Sequence, residues 1–141
     1  MKSRSQRRRL ILAPELVING GFDADSDWSQ NGGSDYTIAG GVATHNGGAS
    51  SNIYQFPSGP AIVAGNSYEI SFDIVSAVDG GDGFQPRIGS VNGTYCYGFT
   101  TGFKRYTQVL TADSDGTSVQ IRANTNCSGS IDNVSVRLVG S

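Results

Sequence analysis

The chain has 141 residues, with ten Lys+Arg against twelve Asp+Glu, 20 Gly and one Met. That length supports a single core, and the longest helix-like apolar run, Leu10-Ile11-Leu12-Ala13, is too short to span a bilayer. Half of the basic residues, Lys2, Arg4, Arg7, Arg8 and Arg9, precede the first acid, Glu15, so residues 10–141 hold five basic and twelve acidic side chains.

In chain order, residues 1–9 read as a basic arm and 10–15 as an apolar hinge ended by Pro14. Together they form a segment (1–15) distinct from the body (16–141). The stretch before Pro14 falls short of the roughly 7–15 apolar residues of a secretory signal, so synthesis without standard secretion is expected. From Leu16 onward, turn signals recur every ten or so residues: Asn19-Gly20-Gly21, Gly40-Gly41, Asn46-Gly47-Gly48, Gly65-Asn66, Asn92-Gly93, Asp115-Gly116. Short strands at that spacing indicate an antiparallel sandwich or barrel. The clearest strand is 67–76, where Tyr68, Ile70, Phe72 and Ile74 alternate with Glu69, Ser71 and Asp73. Residues 118–124 repeat the pattern, with Val119, Ile121 and Ala123 inward and Gln120, Arg122 and Asn124 outward. The last strand places Val134, Val136 and Leu138 inward. Weaker strands are expected at 16–22, 36–45, 51–56, 84–91, 95–100 and 105–111. The sum is an all-β, two-sheet antiparallel jelly-roll sandwich of about nine strands with an extended N-terminal arm.

Chemistry is sparse in this pattern. There is no nucleophile elbow, HExxH motif, phosphate loop or paired Glu acid/base, the only glutamates being Glu15 and Glu69. His45, the one histidine, follows a strand and precedes a turn, where an exposed polar residue is expected. Nothing therefore points to an enzyme. Cys96 and Cys127 match no zinc spacing; they read either as two independent thiols or as a bridge closing the last third of the sandwich.

Two stretches carry a family resemblance. Leu16-Val17-Ile18-Asn19-Gly20-Gly21-Phe22-Asp23, followed by Trp28, resembles the opening of the galactose-binding-like jelly rolls, which include carbohydrate-binding modules. Ser130-Ile131-Asp132-Asn133-Val134-Ser135-Val136-Arg137-Leu138 resembles their last strand. Gly41–Thr44, Ser67–Asp73 and Tyr106–Ala112 resemble their internal strands. The resemblance covers about residues 15–139 and implies neighbouring first and last strands, with Trp28 pinning the first loop. It also implies a structural calcium near Asp23 and Asp132, the alternative being a solvated acidic turn at Asp23, Asp25 and Asp27. No other cofactor is required.

Similar modules occur in tailed-phage structural proteins. By that analogy the chain is expected to be a non-catalytic virion protein, a capsid decoration (cement) or tail-associated component, made in the host cytoplasm. The alternative is a module that attaches to a glycan or host surface. The arm, Lys2, Arg4, Arg7, Arg8 and Arg9 with Leu10, Ile11 and Leu12, mixes arginine with aliphatic anchors. That suits a groove on a capsid or tail protein better than a nucleic-acid backbone. No membrane partner is expected, and a homo-oligomer is. Sugar recognition needs aromatic rings beside hydroxyl-bonding groups. Tyr95 and Tyr97 share strand parity and, with Tyr54, Gln85 and Arg87, form the candidate ligand face; cross-strand packing or a protein interface is the competing use of these tyrosines.

Overall fold

The computed structural model describes residues 13–33, 35–76, 83–96 and 104–140. Ten strands form: β1 (Ser29–Gly32), β2 (Tyr36–Ala39), β3 (Val42–Asn46), β4 (Ser51–Gln55), β5 (Ser67–Ile74), β6 (Phe84–Ile88), β7 (Val91–Asn92), β8 (Lys104–Thr111), β9 (Val119–Ala123) and β10 (Ser128–Gly140). They make two five-stranded sheets, the first in the order β1-β4-β9-β6-β7 and the second in the order β2-β3-β10-β5-β8. The pairs within both are antiparallel. The all-β sandwich read from the sequence is the fold, and the described residues include no helix.

Between the sheets, alternate residues of the central strands meet in one core. Ile53, Ile70, Phe72, Phe84, Ile121, Ile131 and Val136 are each withdrawn from solvent, a burial that contributes about 1.5–3 kcal/mol for each large side chain. β5 keeps the expected alternation, with Tyr68, Ile70, Phe72 and Ile74 in the core. Its other face is covered as well, since β10 and β8 flank it and their side chains close over Ser71 and Asp73.

Several sequence expectations are corrected. The strand expected at 36–45 is two, β2 and β3, because Gly40 and Gly41 take φ of 64° and 81° and fold the chain into a two-residue hairpin. The segment 84–91 likewise divides into β6 and β7. Residues 16–22 form no strand. Asn19 and Phe22 have positive φ, and a Cβ on Gly20 would lie 2.1 Å from the Val134 carbonyl oxygen, so the chain closes as a tight turn against β10. Their hydrogen bonds still serve the sheet. β3 pairs only with the first part of β10, up to Ile131. Beyond it, Val134 N donates to Gly20 O at 2.9 Å and Leu16 N to Val136 O at 3.0 Å, covering the vacated edge. Leu138, expected inward, is 38% exposed because β10 runs past the core there. With Pro14, Leu16, Pro60, Val63 and Tyr68 it lines an apolar groove.

His45 is also corrected. It is fully buried, its Nδ1 facing the Cys127 carbonyl, its Nε2 3.0 Å from the Ala49 carbonyl, and its ring edge-on to Tyr36. Both ring nitrogens meet acceptors, so the side chain ties the β3–β4 turn to the start of β10 and is not available to solvent.

Candidate functional site

On the first sheet the residues that alternate with the core form two cross-strand rows. One runs Ser29, Tyr54, Gln120, Arg87 and Asn92 across β1, β4, β9, β6 and β7. The other runs Asn31, Asn52, Arg122 and Gln85 across the first four. The period of two places them on one face, and register places them side by side. Phe56, two residues beyond Tyr54, is 62% exposed and packs edge-on against it with ring centroids 5.8 Å apart.

The polar groups are held in part by each other. Arg87 Nε donates to Asn92 Oδ1 at 2.7 Å, and its Nη1 reaches Gln120 Oε1 at 3.4 Å. Gln120 Nε2 donates to Ser118 Oγ at 2.8 Å, Gln85 Nε2 to Gly93 O at 2.9 Å, and Asn52 Nδ2 to Asn31 Oδ1 at 2.7 Å. Two buried atoms on this face have no partner among the described residues: the acceptor Asn52 Oδ1 and the donor Arg122 Nε. Their residues stand directly opposite each other across β4 and β9. Such orphans cost about 1–3 kcal/mol each unless something outside the chain bonds them. Partial burial, and then the positive charge of Arg122, push the Arg87 guanidinium below its usual value, while Tyr95 acts the other way. The antiparallel bridge between Phe84 and Cys96 sets the neighbouring Tyr95 beside Gln85 at the margin of this face.

Of the residues proposed from sequence, the structure puts Tyr54, Gln85 and Arg87 on this face with Tyr95 at its margin. Tyr97 lies outside the described residues, as do Lys2, Arg4, Arg7, Arg8, Arg9, Leu10, Ile11 and Leu12. Sequence reasoning missed Asn52, Phe56, Asn92, Gln120 and Arg122 as members. The alternation of 118–124 already turned Gln120 and Arg122 outward; only register shows which outward residues they join.

The remaining candidates fall elsewhere. Trp28 anchors the first loop, its ring 5.4 Å from Phe22 and its Nε1 donating to Asn19 O at 2.8 Å. Asp23 is exposed in that loop. The loop is closed by its own amide: Asn19 Nδ2 donates to the carbonyls of Ala24 and Ser26, and Asn19 Oδ1 accepts from Asp23 N. Asp132 Oδ1 accepts from Asn133 N. Among the described residues no group of three or more His, Cys, Asp or Glu comes together to hold a metal. Cys96 and Cys127 are unbridged and buried. Cys96 Sγ accepts from Gln108 Nε2 at 3.2 Å, whereas burial pushes the Cys127 thiol up to about 11.

This is the fold of the carbohydrate-binding-module jelly rolls. The CBM22-1 xylan-binding domain of Xyn10C from Paenibacillus barcinonensis superposes with a TM-score of 0.61 at 13% identity, over 94% of this chain and 99% of that one. A CBM4 module gives 0.58 at 17% identity, over 87% and 99%. Tailspike protein 4 of bacteriophage CBA120, in a fragment described as its enzymatically active domain, gives 0.58 at 16% identity. That match takes in 89% of this chain but only 21% of the tailspike chain. No family model and no curated protein matches the sequence. Among the described residues no helix is long and apolar enough to cross a membrane.

Proposed function

We propose that the protein is a non-catalytic carbohydrate-binding module whose ligand lies across the outer face of the first sheet. The observation that carries this is the pair of partnerless buried atoms, Asn52 Oδ1 and Arg122 Nε. One asks for a donor and the other for an acceptor, on a face edged by Tyr54 and the exposed Phe56. A sugar hydroxyl offers both roles, and a pyranose ring stacks on aromatic faces. The fold likeness to carbohydrate-binding modules supports the reading. Native affinity electrophoresis through gels holding soluble polysaccharides tests it. The protein is expected to be retarded, and the Tyr54→Ala/Phe56→Ala variant to run freely; wild type running unretarded through every polysaccharide would end the proposal.

A second reading places the module on a virion. The likeness to part of a phage tailspike protein favours it. Here residues 1–12 dock on a capsid or tail protein, and the glycan face meets the host surface. Deleting residues 1–12 is then expected to abolish incorporation into particles while leaving the sandwich folded. Normal incorporation of the truncated protein would refute this second reading alone.

A further inference from the structure

Resting on the glycan-binding reading above, we propose that the glycan is an acidic one, a uronic-acid polymer whose carboxylate seats between Arg87 and Arg122. The two arginines lie on adjacent strands, each opposite the other's neighbour, as diagonal partners in the pairings Arg87 with Gln120 and Gln85 with Arg122. Long side chains reach one another across that diagonal. Among the described residues neither forms an ion pair, whereas Arg105 lies 2.9 Å from Asp73 and Arg137 lies 3.6 Å from Glu15.

The contrast is informative because acids are in surplus. Residues 10–141 hold twelve carboxylates for five cations, yet the two rows that make up this face contain none. Two guanidinium groups side by side, with no counter-ion among the described residues, repel, which is the sense in which Arg122 acts on Arg87. An anion placed between them removes that repulsion and accepts from planar donors whose fork matches a carboxylate. Arg122 Nε is left with an unused hydrogen, and Asn52 Oδ1, directly across the strand pair, with an unused lone pair. A uronate residue supplies a carboxylate for the first and a ring hydroxyl for the second. A neutral sugar can satisfy Asn52 but leaves the paired positive charges uncompensated.

The test compares matched acidic and neutral polymers on the full chain: polygalacturonate against its fully methyl-esterified form, and polyglucuronate against cello-oligosaccharides, by calorimetry at low and high salt. The acidic member of at least one pair is expected to bind ten- to a hundred-fold tighter, as charge-assisted hydrogen bonds of about 1.5–3 kcal/mol imply, and to weaken as salt rises. Arg87→Gln and Arg122→Gln should each erase the preference for acid over ester while keeping a wild-type melting temperature. Tyr54→Ala should weaken binding to both members of a pair. Equal binding of acid and ester, or binding of the neutral members alone, overturns the acidic-ligand inference and leaves the glycan-binding reading intact. Binding of no polymer in either set also overturns the acidic-ligand inference, and the gel electrophoresis above then decides the glycan-binding reading separately.

Discussion

On the outer face of the second sheet, polar side chains find partners within the chain. Asp73 accepts from Arg105 at 2.9 Å and from Asn133 Nδ2 at 2.8 Å, Ser71 meets Thr107 at 3.0 Å, and Thr44 meets Ser130 at 2.7 Å. Glu15 takes hydrogen bonds from Ser135 Oγ at 2.6 Å and Val136 N at 2.7 Å. The outer face of the first sheet is built mainly of amides and arginines at the same spacing, and among the described residues its two arginines meet no carboxylate and two of its buried atoms have no bond. The two faces differ in composition, and they differ also in satisfaction. A face whose hydrogen bonds are complete contributes to folding, and one whose bonds are incomplete is stable only by drawing on the rest of the molecule.

The largest effect expected from breaking this contrast is on the closed face. Asp73→Ala strips Arg105 and Asn133 of their shared acceptor in a site where Asp73 is only 4% exposed. Because Arg105 is itself 42% exposed, the loss is that of charge-assisted hydrogen bonds, about 2–3 kcal/mol of unfolding free energy, read from urea denaturation; a loss below about 1 kcal/mol would rank the pair with ordinary surface ion pairs.

Next comes the core that both faces share. Burial raises the Cys127 thiol from 9.0 to about 11, so the fold favours the protonated form. That contribution is present below pH 9 and is lost as pH rises through about 11, on the order of 2–3 kcal/mol. Tyr36, pushed well above its usual value first by burial and then by Cys127, acts in the same direction. Melting temperature should fall between pH 9 and 11, and Cys127→Ala should flatten the fall; a flat wild-type profile over that range would contradict the assignment.

Third, Tyr54→Ala/Phe56→Ala should weaken glycan binding about ten- to a hundred-fold, at roughly 1–1.5 kcal/mol for each ring, with little change in melting temperature. The smallest effect sharpens the contrast most. Arg122→Met removes an orphaned donor and a like-charge neighbour, so stability should stay level or rise by up to about 1 kcal/mol while glycan affinity drops. If the same change destabilised the fold as Asp73→Ala does, the two faces would not differ in kind.

Much of the fold could be read from residues alone, and the limits were physical. β5 and β9 announce themselves because each buries one face against the opposite sheet, which forces strict alternation. β1, Ser-Gln-Asn-Gly, has no apolar residue to alternate; it is a strand only because β4 offers it a free edge. Residues 16–22 look like a strand because Leu16, Val17 and Phe22 are buried, but burial here comes from a turn pressed on β10. His45 sits beside a turn, as an exposed residue would, and is buried because carbonyls from two segments converge on its ring. The candidate face was partly legible: parity alone puts Tyr54, Gln85 and Arg87 outward. Arg122 could not be joined to them, since the neighbour of a strand residue is fixed by register and strand order, and here β9 inserts between β4 and β6.

The divided edge of β10 has a mechanical meaning. Residues 13–20 lie along it antiparallel, fastened in turn by Arg137 Nη1 to Ala13 O, by Val136 N to Glu15 Oε2, by Leu16 N to Val136 O and by Val134 N to Gly20 O. A pull on Ala13 directed away from β10 would meet these bonds one after another and peel rather than shear them. Under such a pull the segment would yield step by step, ahead of β4, β9 and β6 in the other sheet. A module tethered through its beginning would thus keep its polar face in register while its leash gives way.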